Sequence, residues 1–439
     1  MHARYACVAR AATVALLAAT AVGCDDAPRA IDPFPIRLDL SRGPALAAVD
    51  VGDGARPAII DTLSALTLLD PLATADGGAV PDPRRRRVKL TLLGLDADGL
   101  PTVPRARFPD TDALELHPCP GDARCRVGLE GDSVEFDAIL GADLLGRTAA
   151  RFDYPARELR FFPETAGTEA QLTNDCQAVM PNVFAGGGTL LVGGTEVSYT
   201  GRRPALGACL DTADAPEDRE RGTDTLLLVS TGIGITILAA SAYDRYALAS
   251  GAPERSALPI GTLHLASGPT EVGLGEIGRL ALVGALSDEA GERGPCRELY
   301  LNRLMSVRAC EDEDAGIRRC PCPDGDEFCR TAAAVDLTAP LQVAVLDDSH
   351  PLLQSLRDEL RPGRPEVDGI LGARALAPLR IEFDYPNGRV VMRCRLPEAC
   401  VTRPAVRSRT EQENIERCRA EDLAIPDAGP ELFLDAGAP

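Results

Sequence analysis

The sequence predicts a mainly β chain built from two similar lobes, and three observations carry that prediction. Residues 57–69 run from apolar residues into Asp61-Thr62 and back into apolar residues, and residues 226–238 have the same layout around Ser230-Thr231-Gly232. Each stretch has a downstream echo in the same order. The first is Phe136-Asp137-Ala138-Ile139-Leu140-Gly141-Ala142 followed by Arg151-Phe152-Asp153-Tyr154-Pro155; the second is Val367-Asp368-Gly369-Ile370-Leu371-Gly372-Ala373 followed by Glu382-Phe383-Asp384-Tyr385-Pro386. Between these motifs, short apolar runs are punctuated by Gly, Asp and Pro turns, as strands joined by hairpins are. Repetition on this scale is the signature of a duplicated domain.

Laid on each other, the copies place Asp61 on Ser230, Thr62 on Thr231, Leu63 on Gly232 and Thr67 on Thr236. These residues resemble the pepsin/retropepsin superfamily of aspartic peptidases. In that family each lobe carries Asp-Thr-Gly after an apolar strand, and a later apolar-apolar-Gly strand threads beneath it. The resemblance covers roughly residues 35 to 395. It implies a bilobal aspartic-peptidase-like fold, two duplicated β-barrel-like lobes with few short helices. It also implies that Asp61 and Ser230 face each other across a pseudo-two-fold axis, with Thr62 and Thr231 hydrogen-bonding between the lobes. Gly232 would let the backbones approach without a clash.

The chain departs from the family where the chemistry sits: the first motif reads Asp-Thr-Leu and the second Ser-Thr-Gly. The family's reaction needs two adjacent carboxylates sharing one proton, so that one accepts from water while the other donates to the substrate carbonyl. A serine hydroxyl does not ionise near neutral pH and supplies no second carboxylate. Loss of an acid/base partner typically costs about 10²–10⁴-fold. Leu63 adds bulk at the water site. Asp61 therefore reads as a buried remnant with Ser230 at the paired position. The chain reads as a catalytically inactive pseudo-peptidase whose cleft takes an extended peptide or an envelope protein by strand addition. The alternative is a weak or unusual aspartic endopeptidase that uses Asp61.

The N-terminus predicts export. Arg4 and Arg10 precede an apolar segment, Ala11 to Val22, too short to span a bilayer, and Ala21-Val22-Gly23-Cys24 resembles a bacterial lipobox. The expectation is a lipoprotein signal peptide at 1–23 and lipidation of Cys24, which anchors the protein to a membrane of the cell envelope. Of 14 cysteines, 12 remain after Cys7 and Cys24. An even set in an exported chain reads as a disulfide framework whose connectivity the sequence leaves open; Cys119 with Cys125 is the local guess, since each otherwise has only distant partners in sequence.

In order, residues 24–34 are a polar, proline-bearing tether and 35–163 form the first lobe. Within it, Ile36 to Leu40 alternates as a strand does, Gly52-Asp53-Gly54 marks a hairpin, and Asp96-Ala97-Asp98-Gly99 marks another where the family has its flap. The family's flap tyrosine is missing. The run Arg84-Arg85-Arg86-Arg87 reads as part of a solvated loop, 74–87. Residues 164–187 connect the lobes, and 188–400 form the second lobe with a Cys-rich insertion at 294–331. The tail, 401–439, is polar and partly disordered in expectation. Asp211-Thr212 has the look of a motif, but a polar loop follows it, so Asp211 is expected at the surface.

The net charge of −20 argues against nucleic acid as a partner, because phosphate binding needs a basic surface. Ser349 and His350 are adjacent and form no triad, no Gly-x-Ser-x-Gly or phosphate-cradling Gly-x-x-x-x-Gly-Lys occurs, and Asp347-Asp348 reads as a solvated turn. The insertion has no His and no paired Cys-x-x-Cys, which disfavours zinc there. No cofactor and no metal is expected.

Overall fold

The computed structural model describes residues 35–71, 82–117, 119, 124–162, 178–181, 183–184, 188–192, 195–199, 203–211, 222–284, 332–358, 366–386 and 388–404. The signal peptide at 1–23, Cys24, the tether, residues 164–177 of the connection, the Cys-rich insertion at 294–331 and residues 405–439 of the tail lie outside them. The described chain is mainly β, with four α-helices and a closed barrel in its first half.

The barrel begins with the hairpin Leu46–Asp50 and Ala55–Ile60. Its turn works because Gly52 and Gly54 take φ of 101° and 116°, where a side chain is strained, while Asp50 Oδ1 accepts from both amides. The second strand then lies parallel to Ala138–Leu140, with Ile60 opposite Leu140. On its other side Ala138–Leu140 pairs antiparallel with Leu68–Leu69. The later strand therefore threads between the segments that flank Asp61. The second half repeats this. Thr223–Val229 lies parallel to Gly369–Leu371, and Thr236–Ala239 pairs antiparallel with the same short strand.

The repetition extends to single hydrogen bonds at equal offsets. Leu140 O accepts from Asp61 N at 3.0 Å, and Leu371 O accepts from Ser230 N at 2.9 Å. Gly141 N donates to Thr67 Oγ1 at 3.3 Å, and Gly372 N to Thr236 Oγ1 at 3.2 Å. A Cβ on Gly141 would sit 2.4 Å from Leu66 O, and one on Gly372 would sit 2.2 Å from Ile235 O. Both glycines are required by close backbone approach.

The halves meet in a shared sheet. Ala149–Asp153 pairs antiparallel with Leu379–Asp384, so the two Phe-Asp-Tyr echoes lie side by side. Phe152 meets Phe383 edge-on at 5.9 Å, and Arg151 pairs with Glu382 at 2.5 Å. One buried cluster takes in Ile60, Leu140 and Phe152 together with Leu227, Leu371 and Phe383. It is largely aliphatic, as a chain without Trp requires.

Several expectations are corrected. Arg84–Arg87 belong to the strand Arg84–Leu95, not to a loop. They tolerate a strand because carboxylates face them: Glu115 pairs with Arg84 at 2.5 Å and with Arg86 at 2.7 Å, and Asp112 with Arg85 at 3.7 Å. Asp211 is buried, not exposed; it ends the strand Pro204–Asp211 directly opposite Arg279. The second part of the expected connection is sheet, since Ala178–Pro181 pairs with Arg389–Cys394. The hairpin around Asp96–Gly99 forms, but between longer strands, Arg84–Leu95 and Pro101–Glu115, and its turn is exposed.

A different hairpin, Cys125–Leu129 with Val134–Phe136, reaches the other half of the molecule. Leu129 and Gly128 pair with Leu263 and His264 of the strand Ile260–Leu265. Glu130 N donates to Thr262 O at 2.9 Å, Asp132 pairs with Arg374 at 2.6 Å, and Arg42 donates to Ser133 O at 3.1 Å. Two disulfides, Cys119–Cys125 and Cys394–Cys400, fall within the described residues, and Cys209 is also disulfide-bonded.

Candidate functional site

Asp61 and Ser230 each follow a buried strand and precede a tight turn, and the pseudo-two-fold brings them into contact. Ser230 Oγ donates to Asp61 Oδ1 at 2.7 Å. The same oxygen accepts from Leu63 N at 3.0 Å and Gly232 N at 3.2 Å. Ser230 Oγ in turn accepts from Ile233 N at 2.9 Å. The serine hydroxyl is thus committed as a donor to the carboxylate and an acceptor from its own turn.

Beneath this pair the threonines cross between halves. Thr62 Oγ1 donates to Val229 O at 2.7 Å and accepts from Thr231 N at 3.3 Å. Thr231 Oγ1 donates to Ile60 O at 2.6 Å and accepts from Thr62 N at 3.2 Å. All four groups are buried, so each bond also satisfies a backbone group that water does not reach. Gly232 permits the contact: a Cβ there would sit 2.5 Å from Asp61 Cβ.

Burial pushes the Asp61 carboxyl above its ordinary value. The hydrogen bonds from Leu63, Ser230 and Gly232 and the charge of Arg203 oppose that rise without cancelling it. Desolvation dominates because a carboxylate loses its hydration here and, among the described residues, gains no cation in direct contact.

Asp61, Leu63 and Gly232 open onto a cavity of about 550 Å³ between the halves, a size ordinary for ligand sites. Among the described residues that line it, only Asp61 and Arg203 are charged. Ser64, Ser267 and Ser355 add hydroxyls, and the rest of the wall is apolar, including Val127 and Phe136 of the reaching hairpin and Leu265 of the strand it pairs with. Ser230 is fully buried and is not part of the wall.

The structure thus brings Asp61, Ser230, Thr62, Thr231 and Gly232 together at one place. Leu63 is 6% exposed, lies on the wall, and is absent from the positive-φ residues, so its side chain fits without backbone strain. Cys24 lies outside the described residues. Sequence reasoning missed Arg203, which carries no local signal, and the reaching hairpin. It also missed a second buried polar group: the side chains of Asp70 and His117, 5% and 3% exposed, are hydrogen-bonded at 2.9 Å beside the Cys119–Cys125 disulfide.

No family model matches the chain, and no curated protein matches it in sequence. Among solved structures it is similar to an aspartic proteinase from Irpex lacteus, at 13% identity and a TM-score of 0.36, covering 82% of this chain and 97% of that one. It is also similar to basic 7S globulin from soybean, at 10% identity and a TM-score of 0.36, covering 83% and 95%. A third is conglutin gamma, a basic 7S globulin from lupine seeds, at 10% identity and a TM-score of 0.36, covering 82% and 93%.

Proposed function

We propose that this protein is an exported, lipid-anchored binding protein on an aspartic-peptidase-like scaffold, without peptidase activity. The observation that carries this reading is the single carboxylate. Asp61 is the only acidic residue among the described residues lining the cavity, and its partner across the pseudo-two-fold is a hydroxyl that donates to it. A dyad that shares one proton needs two carboxylates, and a serine sealed behind the wall reaches neither water nor substrate.

The two departures from the family motif fall in one centre. Gly232 has no room for a Cβ because Asp61 stands over it. At the equivalent position 63 a leucine is accommodated instead, 6% exposed and lining the cavity. The pair Ser230 and Leu63 therefore reads as a repacked, apolar version of a catalytic centre rather than as isolated loss.

The cleft binds an extended peptide or an envelope protein through apolar side chains in this reading. Main-chain addition at the strand Ile260–Leu265 is already supplied by the chain's own Cys125–Leu129. Aliphatic or aromatic anchors in the cavity then supply the affinity. The lipid on Cys24 holds the protein at the membrane.

The test is cleavage of an unfolded protein substrate from about pH 3 to 7, with a statine-type inhibitor as control. The expected result is no inhibitor-sensitive turnover by the wild type, with restoration, if any, requiring both Ser230→Asp and Leu63→Gly. Inhibitor-sensitive turnover by the wild type that disappears in Asp61→Ala would overturn this reading and establish an endopeptidase using Asp61.

A further inference from the structure

Asp70, His117 and Cys125 come from three separate segments. Asp70 follows the strand Leu68–Leu69, His117 follows the strand Pro101–Glu115, and Cys125 opens the reaching hairpin. Pairing holds the first two together, since Leu116 N donates to Leu69 O at 3.1 Å. Their ligand-type atoms lie within 4.8 Å of one another. Asp70 Oδ2 is 2.9 Å from His117 Nδ1, and Cys125 Sγ is 3.9 Å from the oxygen and 4.0 Å from the nitrogen. Cys119 Sγ adjoins through the disulfide.

We propose that opening the Cys119–Cys125 disulfide converts this corner into a site for a divalent transition metal of the zinc class. Asp70, His117, Cys119 and Cys125 are its ligands. Thiolate, imidazole and carboxylate are the donors zinc takes, and tetrahedral bonds of 2.0–2.3 Å place neighbouring donors about 3.4–3.8 Å apart. Three of the donor separations are already within about half an ångström of that range. Of the three that involve Cys119, the one between the sulfurs is held short by the S–S bond itself. In the disulfide state Cys125 Sγ has no thiolate charge to offer, so the oxidised corner is a buried His–Asp pair and not a metal site.

The chemistry balances with a dithiol as reductant. Two electrons and two protons pass to the S–S bond, which breaks into two thiols while the dithiol closes to its own disulfide. The metal then displaces the two thiol protons to solvent as both sulfurs become thiolate ligands. Cys125 opens the hairpin whose Val127 and Phe136 line the cavity, so the metal state and the cavity wall share that hairpin.

The experiment leaves the other disulfides intact. Cys119→Ser in the full, unreduced chain frees Cys125 alone, and cobalt(II) is the probe. The expected result is tetrahedral cobalt absorption with a thiolate charge-transfer band in Cys119→Ser, none in unreduced wild type, and at least about tenfold weaker uptake in Cys119→Ser/His117→Ala. Mild reduction of the wild type should give stronger charge transfer, from two thiolates. Equal uptake by oxidised wild type, equal uptake by the His117→Ala double variant, or no cobalt uptake by folded Cys119→Ser would each overturn the proposal.

Discussion

Replacing Thr62 by Val tests the crossing threonines without changing the volume of the side chain. The substitution removes the hydroxyl that donates to Val229 O at 2.7 Å and accepts from Thr231 N at 3.3 Å. Thr62 is fully buried, so both partners lose their bonds in a place water does not reach. An orphaned buried donor or acceptor costs about 1–3 kcal/mol, and two together cost about 2–6 kcal/mol. Thr231→Val orphans the mirror-related pair, Ile60 O and Thr62 N, so it should cost a similar amount. Urea unfolding of each oxidised variant at one pH measures this as a shift in midpoint at unchanged slope. Two losses of less than about 0.5 kcal/mol, the range of an ordinary surface change, would refute the reasoning. So would a loss confined to one of the two threonines, because the argument rests on their equivalence.

Asp61→Asn should change stability with pH. Burial holds the folded carboxyl above its unfolded value of 3.8, so the folded state binds the proton more tightly and wild-type stability falls as pH rises through that interval. The variant's advantage should be nil below the unfolded value, grow through the interval, and level off above it; paired urea titrations that show a pH-independent difference would contradict this. Gly141→Ala and Gly372→Ala should each destabilise by about 1–3 kcal/mol or more, since the new Cβ meets backbone carbonyls that cannot rotate away; wild-type midpoints in thermal unfolding would refute it. Intact mass of the envelope form should show cleavage before Cys24 and a diacylglyceryl group on it; a mature N-terminus elsewhere without lipid would remove the anchor.

The paired centre was legible in the sequence because its signal is local and stated twice. An apolar strand ending in Asp-Thr or Ser-Thr, and an Ile-Leu-Gly strand later, place Asp61 opposite Ser230 once the copies are superposed. The turn at Gly52–Gly54 was legible because its signal is local. What stayed hidden depends on partners far along the chain. Four consecutive arginines have no alternation to mark a strand, and only Asp112 and Glu115 across the hairpin make one. Asp211 reads as exposed until Arg279 is placed opposite it. The hairpin from Cys125 reaches a strand at Ile260–Leu265, and nothing within it names that destination. The Asp70–His117 pair joins residues 47 apart in sequence, on ends that only the parallel pairing of Leu68–Leu69 with Leu114–Glu115 brings together.

The reaching hairpin has a consequence for the rates at which the cavity fills and empties. Bilobal proteins commonly admit ligands by rocking one lobe against the other about a hinge. Here the halves share the sheet formed by Ala149–Asp153 and Leu379–Asp384, are pinned by two threonines, and are joined a third time by Gly128 and Leu129. Separating them as rigid bodies would break strand pairs at more than one place at once. The cheaper motion is to unfasten the short hairpin alone, starting with the exposed Asp132–Arg374 ion pair. In the proposed binding role, ligands that need a wider mouth than the cavity offers wait on this local opening, so their association and dissociation slow together while affinity stays unchanged. A ligand captured here would have a long residence for its affinity, and raised salt would quicken its arrival and its escape alike.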